Sequence, residues 1–136
     1  TASLISLACR GVGLIHGLEE SKQRKLFDFG AHFGIAFQVA DDVLDFTSSS
    51  EELGKPAFND LVSGVITAPT LFAYAENKSE KMNEMIQRGF KEENDVEETL
   101  KIIEQTAGIS NSEKLALMHV KDSIESIASL SEVDTE

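Results

Sequence analysis

FQVADDVLDF, Phe37 to Phe46, with LGKP following at Leu53 to Pro56, is the stretch that decides how this chain is read. Its apolar residues recur at helical spacing, and Asp41, Asp42 and Asp45 stand among them as a D-D-x-x-D cluster. On a helix, Asp41 and Asp45 are four residues apart and Asp42 and Asp45 three, so their carboxylates share a face. Like charges at that spacing repel, and Asp is a weak helix former. A divalent cation reverses the sign of that cost, and carboxylate oxygens suit a hard ion such as Mg2+. Asp41, Asp42 and Asp45 are the candidate metal ligands.

Outward from the cluster the pattern is helical. A long helix is expected from about Lys22 to Phe46, with Phe29, Phe33 and Phe37 as a core stripe. Gly30 and Gly34 form a small-xxx-small step beside that stripe, where a second helix can approach closely. Each glycine costs about 1 kcal/mol against Ala, and close packing is the natural compensation. Upstream, Thr1 to Ile15 shows three- and four-residue apolar spacing and stops at Gly17, with Ser21 as a cap for the next helix. Downstream, Thr47 to Glu52 is a polar break and Gly54-Lys55-Pro56 a turn. Asn59 or Asp60 can cap a short turn. Val65 to Ala75 is helical, with Pro69 as a first-turn residue or a kink. Amphipathic helices are expected from Ser79 to Arg88 (ending near Gly89), from Asn94 or Asp95 to Thr106 (ending at Gly108), and from Asn111 to about Leu130. No strand-period segment exceeds four residues, so the fold class is all-α.

The 136 residues are the length of one ordinary domain, and 41% apolar residues can supply a core. A formal charge of −12 argues against a nucleic-acid partner. Residues 1–75 hold nine acids and five bases, and residues 76–136 hold fifteen acids and seven bases. The first part, 1–75, is read as active-site helices and loop, and 76–136 as outer amphipathic helices with solvated faces. Cys9 is the single cysteine, which excludes an internal disulfide and fits a small packing residue. No apolar run is long enough for a transmembrane segment. No signal or transit segment is read, and the chain opens on Thr1 rather than Met.

Other chemistries find no support. No Ser/His/Asp or Cys/His arrangement is indicated. His16, His32 and His119 are scattered without metal-ligand spacing and are read as surface or packing histidines. No G-x-x-x-x-G-K phosphate loop occurs, and an EF-hand would need a central Gly and a closing Glu. What remains is a set of aspartates with Lys55 following. Mg2+ bridging carboxylates to a diphosphate, with Lys55 as a fixed positive charge, stabilises a departing pyrophosphate.

FQVADDVLDF…LGKPAFNDLVSGVITAPTLFA resembles the second aspartate-rich region of the trans-polyprenyl diphosphate synthases, most closely the long-chain (decaprenyl or solanesyl) type that makes the ubiquinone side chain. TASLISLACRG is similar to that family's K-T-A-S-L-I helix beginning just after the lysine, and GISNSEKLALMH to its later G-I…L-A-x-x-H helix. The resemblance covers almost the whole chain. It implies an isoprenoid synthase-type helical bundle, of which this chain is the C-terminal portion. It also implies homodimers or heteromers, and head-to-tail condensation of isopentenyl diphosphate with an allylic diphosphate. By the same resemblance Asp41 and Asp42 match Mg2+ ligands, and Asp45 closes the motif, often through water. Lys55 contacts the allylic diphosphate, Thr1 follows the substrate-binding lysine, and Gln38 lies over the reacting carbons. From the residues alone, Gln38 is equally a satisfied buried amide and Thr1 a helix N-cap.

The family has two facing aspartate-rich motifs, and this chain has one D-D pair. The first motif and its neighbouring arginines, near which product length is set, are absent, as is a usual final helix. The chain is therefore expected to be part of a synthase. Two alternatives stand beside that reading. A non-catalytic subunit of a heteromeric synthase often has degraded aspartates, whereas these are intact. A terpene cyclase of the same fold usually carries N-D-x-x-S-x-x-x-E in this place. A eukaryotic ubiquinone-pathway enzyme would be mitochondrial, and otherwise cytoplasmic.

Overall fold

A computed structural model describes residues 1–48 and 58–130, and among them every regular element is helical. The chain is all-α, as expected. In order the helices are α1 (Ala2–Ile15), α2 (Glu20–Thr47), α3 (Asn59–Val62), α4 (Ala68–Asn77), α5 (Glu80–Gln87), α6 (Asp95–Glu104) and α7 (Gly108–Ala128). No described helix is long and apolar enough to cross a membrane. The chain divides into two compact units. One holds Thr1–Gln38 and the chain from Leu115 onward, and the other holds Val39–Lys114. The division runs through α2 and α7, each of which contributes to both units.

In the first unit α1 comes closest to α2 where its backbone meets two glycines of α2. A Cβ placed on Gly34 would sit 2.5 Å from the Ala2 Cα, and one on Gly30 would sit 2.7 Å from the Ser6 Cα. Gly13 faces Leu26 and Gln23. Rising numbers in α1 thus meet falling numbers in α2, and the two helices are antiparallel. The Gly30/Gly34 step is the close approach that the sequence called for. Cys9 packs beside Gly30, in keeping with its reading as a packing residue. The Phe stripe departs from expectation: Phe33 is 45% and Phe37 57% exposed, and Phe29 stacks on Phe33 instead of entering a core. Enlarging Gly34 to Ala would gain about 1 kcal/mol of helix propensity. Overpacking against a backbone that cannot yield costs about 1–3 kcal/mol, so the net sign is destabilising. Gly34→Ala is therefore expected to lower the thermal midpoint, and Gly34→Val to lower it further. Midpoints at or above the parent's would refute the contact.

The second unit has its core around Leu61, Ala73, Met82, Met85, Phe90 and Ile103, with α6 packed on α4 and α5. Pro69 is a first-turn residue of α4, where its missing N–H leaves nothing unpaired. α5 ends near Gly89 (φ 66°) as read, and its N-terminus is capped by Ser79, whose hydroxyl accepts from the Met82 N–H at 3.1 Å. Several boundaries differ from the sequence reading, and α4 begins at Ala68 rather than Val65. Ser21 lies inside α2, which begins at Glu20, and its hydroxyl donates to the Glu19 carboxylate. Gly108 opens α7 instead of closing α6. It is placed there by packing, because a Cβ on it would meet the Pro69 carbonyl oxygen at 2.6 Å.

Arg88 and Asp95 fasten the α5–α6 connection. Arg88 Nη2 and Nε donate to the two Asp95 carboxylate oxygens at 2.6 and 2.8 Å, and the Glu92 N–H donates at 3.0 Å. The Asp95 side chain is 3% exposed. The guanidinium, aided by that N–H, holds the Asp95 carboxyl below its ordinary range. A lowered folded-state value stabilises above the ordinary carboxyl range, and that stability is lost as pH falls through the folded value. Asp95→Asn should accordingly cost most stability near neutrality and progressively less in acid. A parent–variant difference that does not narrow between pH 7 and pH 3, read by urea unfolding, would count against the pair.

Candidate functional site

Three aspartates on the last turns of α2 differ sharply in environment. Asp41 is exposed, Asp42 is 8% exposed and Asp45 is fully buried. Asp42 is turned about 100° from Asp41 by the helix, whereas Asp45 lies on the same face as Asp41 one turn on and is buried because the start of α3 packs over it. Asp45 reaches the start of α3, where its Oδ2 accepts from the Asp60 N–H at 3.1 Å and its carbonyl accepts from the Phe58 N–H at 3.2 Å. Phe58 is the residue before α3 and sits at φ 59°, an uncommon conformation for a bulky side chain. Its ring packs on Phe46, 6.1 Å between centroids. Asp45, rather than Asn59 or Asp60, therefore caps this short helix. Asp42 does similar service for α4, its Oδ2 accepting from the Ala68 N–H at a long 3.4 Å.

Carboxylates near helix N-termini are favoured by unpaired N–H groups and by the helix dipole. Two of the three aspartates thus have a structural anchorage that the sequence reading did not anticipate. Its only trace in the sequence was the apolar setting of residues that carry charge. The three do not draw together into one tight cluster of ligand atoms, since the one such triple among the described residues lies elsewhere. The donor chemistry nonetheless fits Mg2+, which keeps several waters and commonly takes only one or two protein carboxylates. Asp41 presents its carboxylate to solvent, and Asp42 adjoins it with one oxygen turned to α4.

Gln38 and Thr1 are brought together in the first unit. The Thr1 hydroxyl donates to the Gln38 Oε1 at 3.0 Å, across 37 residues of sequence. Gln38 is exposed, which removes the buried-amide alternative. Thr1 does stand at the N-cap position of α1, but its hydroxyl goes to Gln38 and not to an α1 N–H. Lys55, with the Gly54–Pro56 turn, lies outside the described residues.

Two histidines that lie far apart in the sequence meet in the fold, while His16 is exposed. His32 on α2 and His119 on α7, 87 residues apart, have their Nδ1 atoms 2.8 Å from each other. Asp122 Oδ2 lies 3.7 Å from His32 Nδ1. The i,i+3 spacing of His119 and Asp122 was the available signal; the pairing with His32 is tertiary.

Comparison with known proteins gives a consistent result. The polyprenyl synthetase family model matches residues 1–103. A prenyl transferase of Cyanophora paradoxa is 42% identical over 130 residues, which cover 96% of this chain and 40% of that protein. The apo form of an Arabidopsis medium/long-chain-length prenyl pyrophosphate synthase superposes with a TM-score of 0.86 at 38% identity, covering all of this chain and 45% of that one. A polyprenyl synthase of Caulobacter crescentus, solved with calcium and isoprenyl diphosphate, gives 0.81 at 30% identity, covering 95% and 40%. The chain spans about two fifths of the length of such relatives.

Proposed function

Since this chain belongs to the polyprenyl synthetase family, we propose that it supplies the second aspartate-rich segment of a prenyltransferase. The reaction is head-to-tail condensation of isopentenyl diphosphate with an allylic diphosphate, giving a long-chain polyprenyl diphosphate. The observation that carries the reading is the exposed Asp41 carboxylate beside an intact and anchored Asp42. A non-catalytic subunit has no need to keep that pair. Asp41 and Asp42 would hold Mg2+, which when bound supplies Lewis-acid stabilisation of the diphosphate leaving group. Asp45 holds the start of α3 against the end of α2 through the Asp60 and Phe58 N–H groups. Gln38 offers an exposed amide at the allylic substrate, oriented by the Thr1 hydroxyl. Lys55 contributes a point charge to the allylic diphosphate.

The facing aspartate-rich segment lies outside residues 1–136, and the working assembly is a homodimer or heteromer. The test is incorporation of labelled isopentenyl diphosphate by a protein of the relatives' full length that carries this chain. Chain-elongated, Mg2+-dependent product is expected, and cyclised hydrocarbon would instead favour a terpene cyclase. In the same assay Lys55→Ala should raise the allylic KM about tenfold to a hundredfold, the effect of one charge-assisted hydrogen bond of roughly 1.5–3 kcal/mol. Lys55→Arg should recover part of it. An unchanged allylic KM would leave Lys55 a solvated turn residue.

A further inference from the structure

Outside the aspartate segment, the described residues hold one triple of metal-ligating side chains whose donor atoms all lie within 4.8 Å of one another: His32, His119 and Asp122. We propose that this triple is a second metal site, selective for a Zn2+-class transition ion and independent of the Mg2+ aspartates. The donor set is two imidazoles and one carboxylate, borderline nitrogen with oxygen, which favours Zn2+ over Mg2+. Its layout is one that helical bundles use for metals, with an i,i+3 pair on one helix meeting a ligand from another. Here His119 and Asp122 are on α7 and His32 is on α2, all within the first unit.

The distances bracket what a tetrahedral ion requires. Bonds of about 2.0–2.1 Å place neighbouring ligand atoms about 3.3 Å apart. The two Nδ1 atoms stand at 2.8 Å and the His32 Nδ1–Asp122 Oδ2 pair at 3.7 Å. Opening the first and closing the second by about half an ångström each is within reach of side-chain torsions. The imidazole planes are inclined by 33°, so the two nitrogens approach without stacked rings blocking the space. The side chains of His32 and Asp122 are 34% and 40% exposed, which leaves an entry path and room for a water as fourth ligand. Without metal, the short contact pairs the Nδ1 atoms of the two imidazoles. With metal, both rings would take the Nε2–H tautomer, which frees both Nδ1 atoms as ligands with no net change in protons and ties α7 to α2.

The experiment uses the relatives-length protein carrying this chain, stripped with chelator and kept in excess Mg2+ so that the aspartates stay occupied. Co2+ serves as the spectroscopic probe and Zn2+ as the competitor. One equivalent of Co2+ is expected to give the intense visible absorption of a four-coordinate ion, and Zn2+ should erase it and raise the thermal midpoint. His32→Gln and His119→Gln should each abolish the band, and Asp122→Asn should weaken Co2+ binding by about tenfold or more. Circular dichroism matching the parent in the absence of metal shows that a variant has folded. If either histidine variant unfolds, weakened Co2+ binding in Asp122→Asn together with loss of the band in the other histidine variant decides the matter. Absence of any band, or a band that survives both histidine substitutions, overturns the site. Neither result depends on prenyl transfer, so this proposal and the proposed activity fail separately.

Discussion

Asp41→Ala is expected to lower prenyl-transfer turnover by about a hundredfold to a thousandfold while leaving the thermal midpoint unchanged. The kinetic loss is of the size seen when one preorganised group stabilising transition-state charge is removed, about 3–4 kcal/mol. The unchanged midpoint follows from the position of Asp41, which is exposed. Asp42→Ala should lose turnover similarly and also some stability, at the low end of the roughly 0.5–2 kcal/mol range for a lost cap, since its bond to Ala68 is long. Asp45→Ala should invert the pattern, with a smaller loss of turnover and a larger loss of stability. Its carboxylate is fully buried and caps α3, and leaving the Asp60 N–H unpaired costs about 1–3 kcal/mol. Raising Mg2+ should partly rescue Asp41→Ala and leave the midpoint of Asp45→Ala where it is. Steady-state rates over a Mg2+ titration, with parallel melts, measure all three; parent-like turnover in Asp41→Ala would end the metal assignment.

Residues 1–136 expressed alone are expected to show no measurable prenyl transfer and no sharp melting transition. One aspartate pair grips a diphosphate from one side only. The apolar surface is also uncovered: Leu4, Leu7, Leu14 and Ile15 on α1 are 59–83% exposed, and Leu117 and Ile124 on α7 are about as open. At about 25 cal/mol per Å2, a few hundred Å2 left in water forfeits several kcal/mol, a large share of a domain's typical stability. The expected species is helical by far-ultraviolet circular dichroism, loosely packed and prone to association. A cooperative melt together with turnover would show that the chain is self-sufficient.

What the sequence disclosed depended on whether the cause was local. Pro69 took the first-turn place, one of the two its local chemistry allows. Helical spacing and the Gly30/Gly34 step act within a turn or two and were legible. Gly108 was not, because a glycine that ends a helix and one that admits a neighbouring carbonyl look the same in one dimension. The aspartates were legible as an anomaly, charges placed where a folding optimum would not have them. Their division of labour was not, since the groups they anchor lie 15 and 26 residues away. The His32–His119 contact spans 87 residues and leaves no periodic trace.

The backbone contact between α1 and α2 also restricts how this sequence can drift. Where helices meet through large side chains, a substitution on one side can be answered by repacking on the other. Ala2 and Ser6 meet Gly34 and Gly30 with nothing to repack. Variation at these four positions should be frozen to the smallest residues. A saturation scan would trace α1 as a narrow intolerant line opposite the two glycines, and its pitch would follow the crossing of the two helices residue by residue.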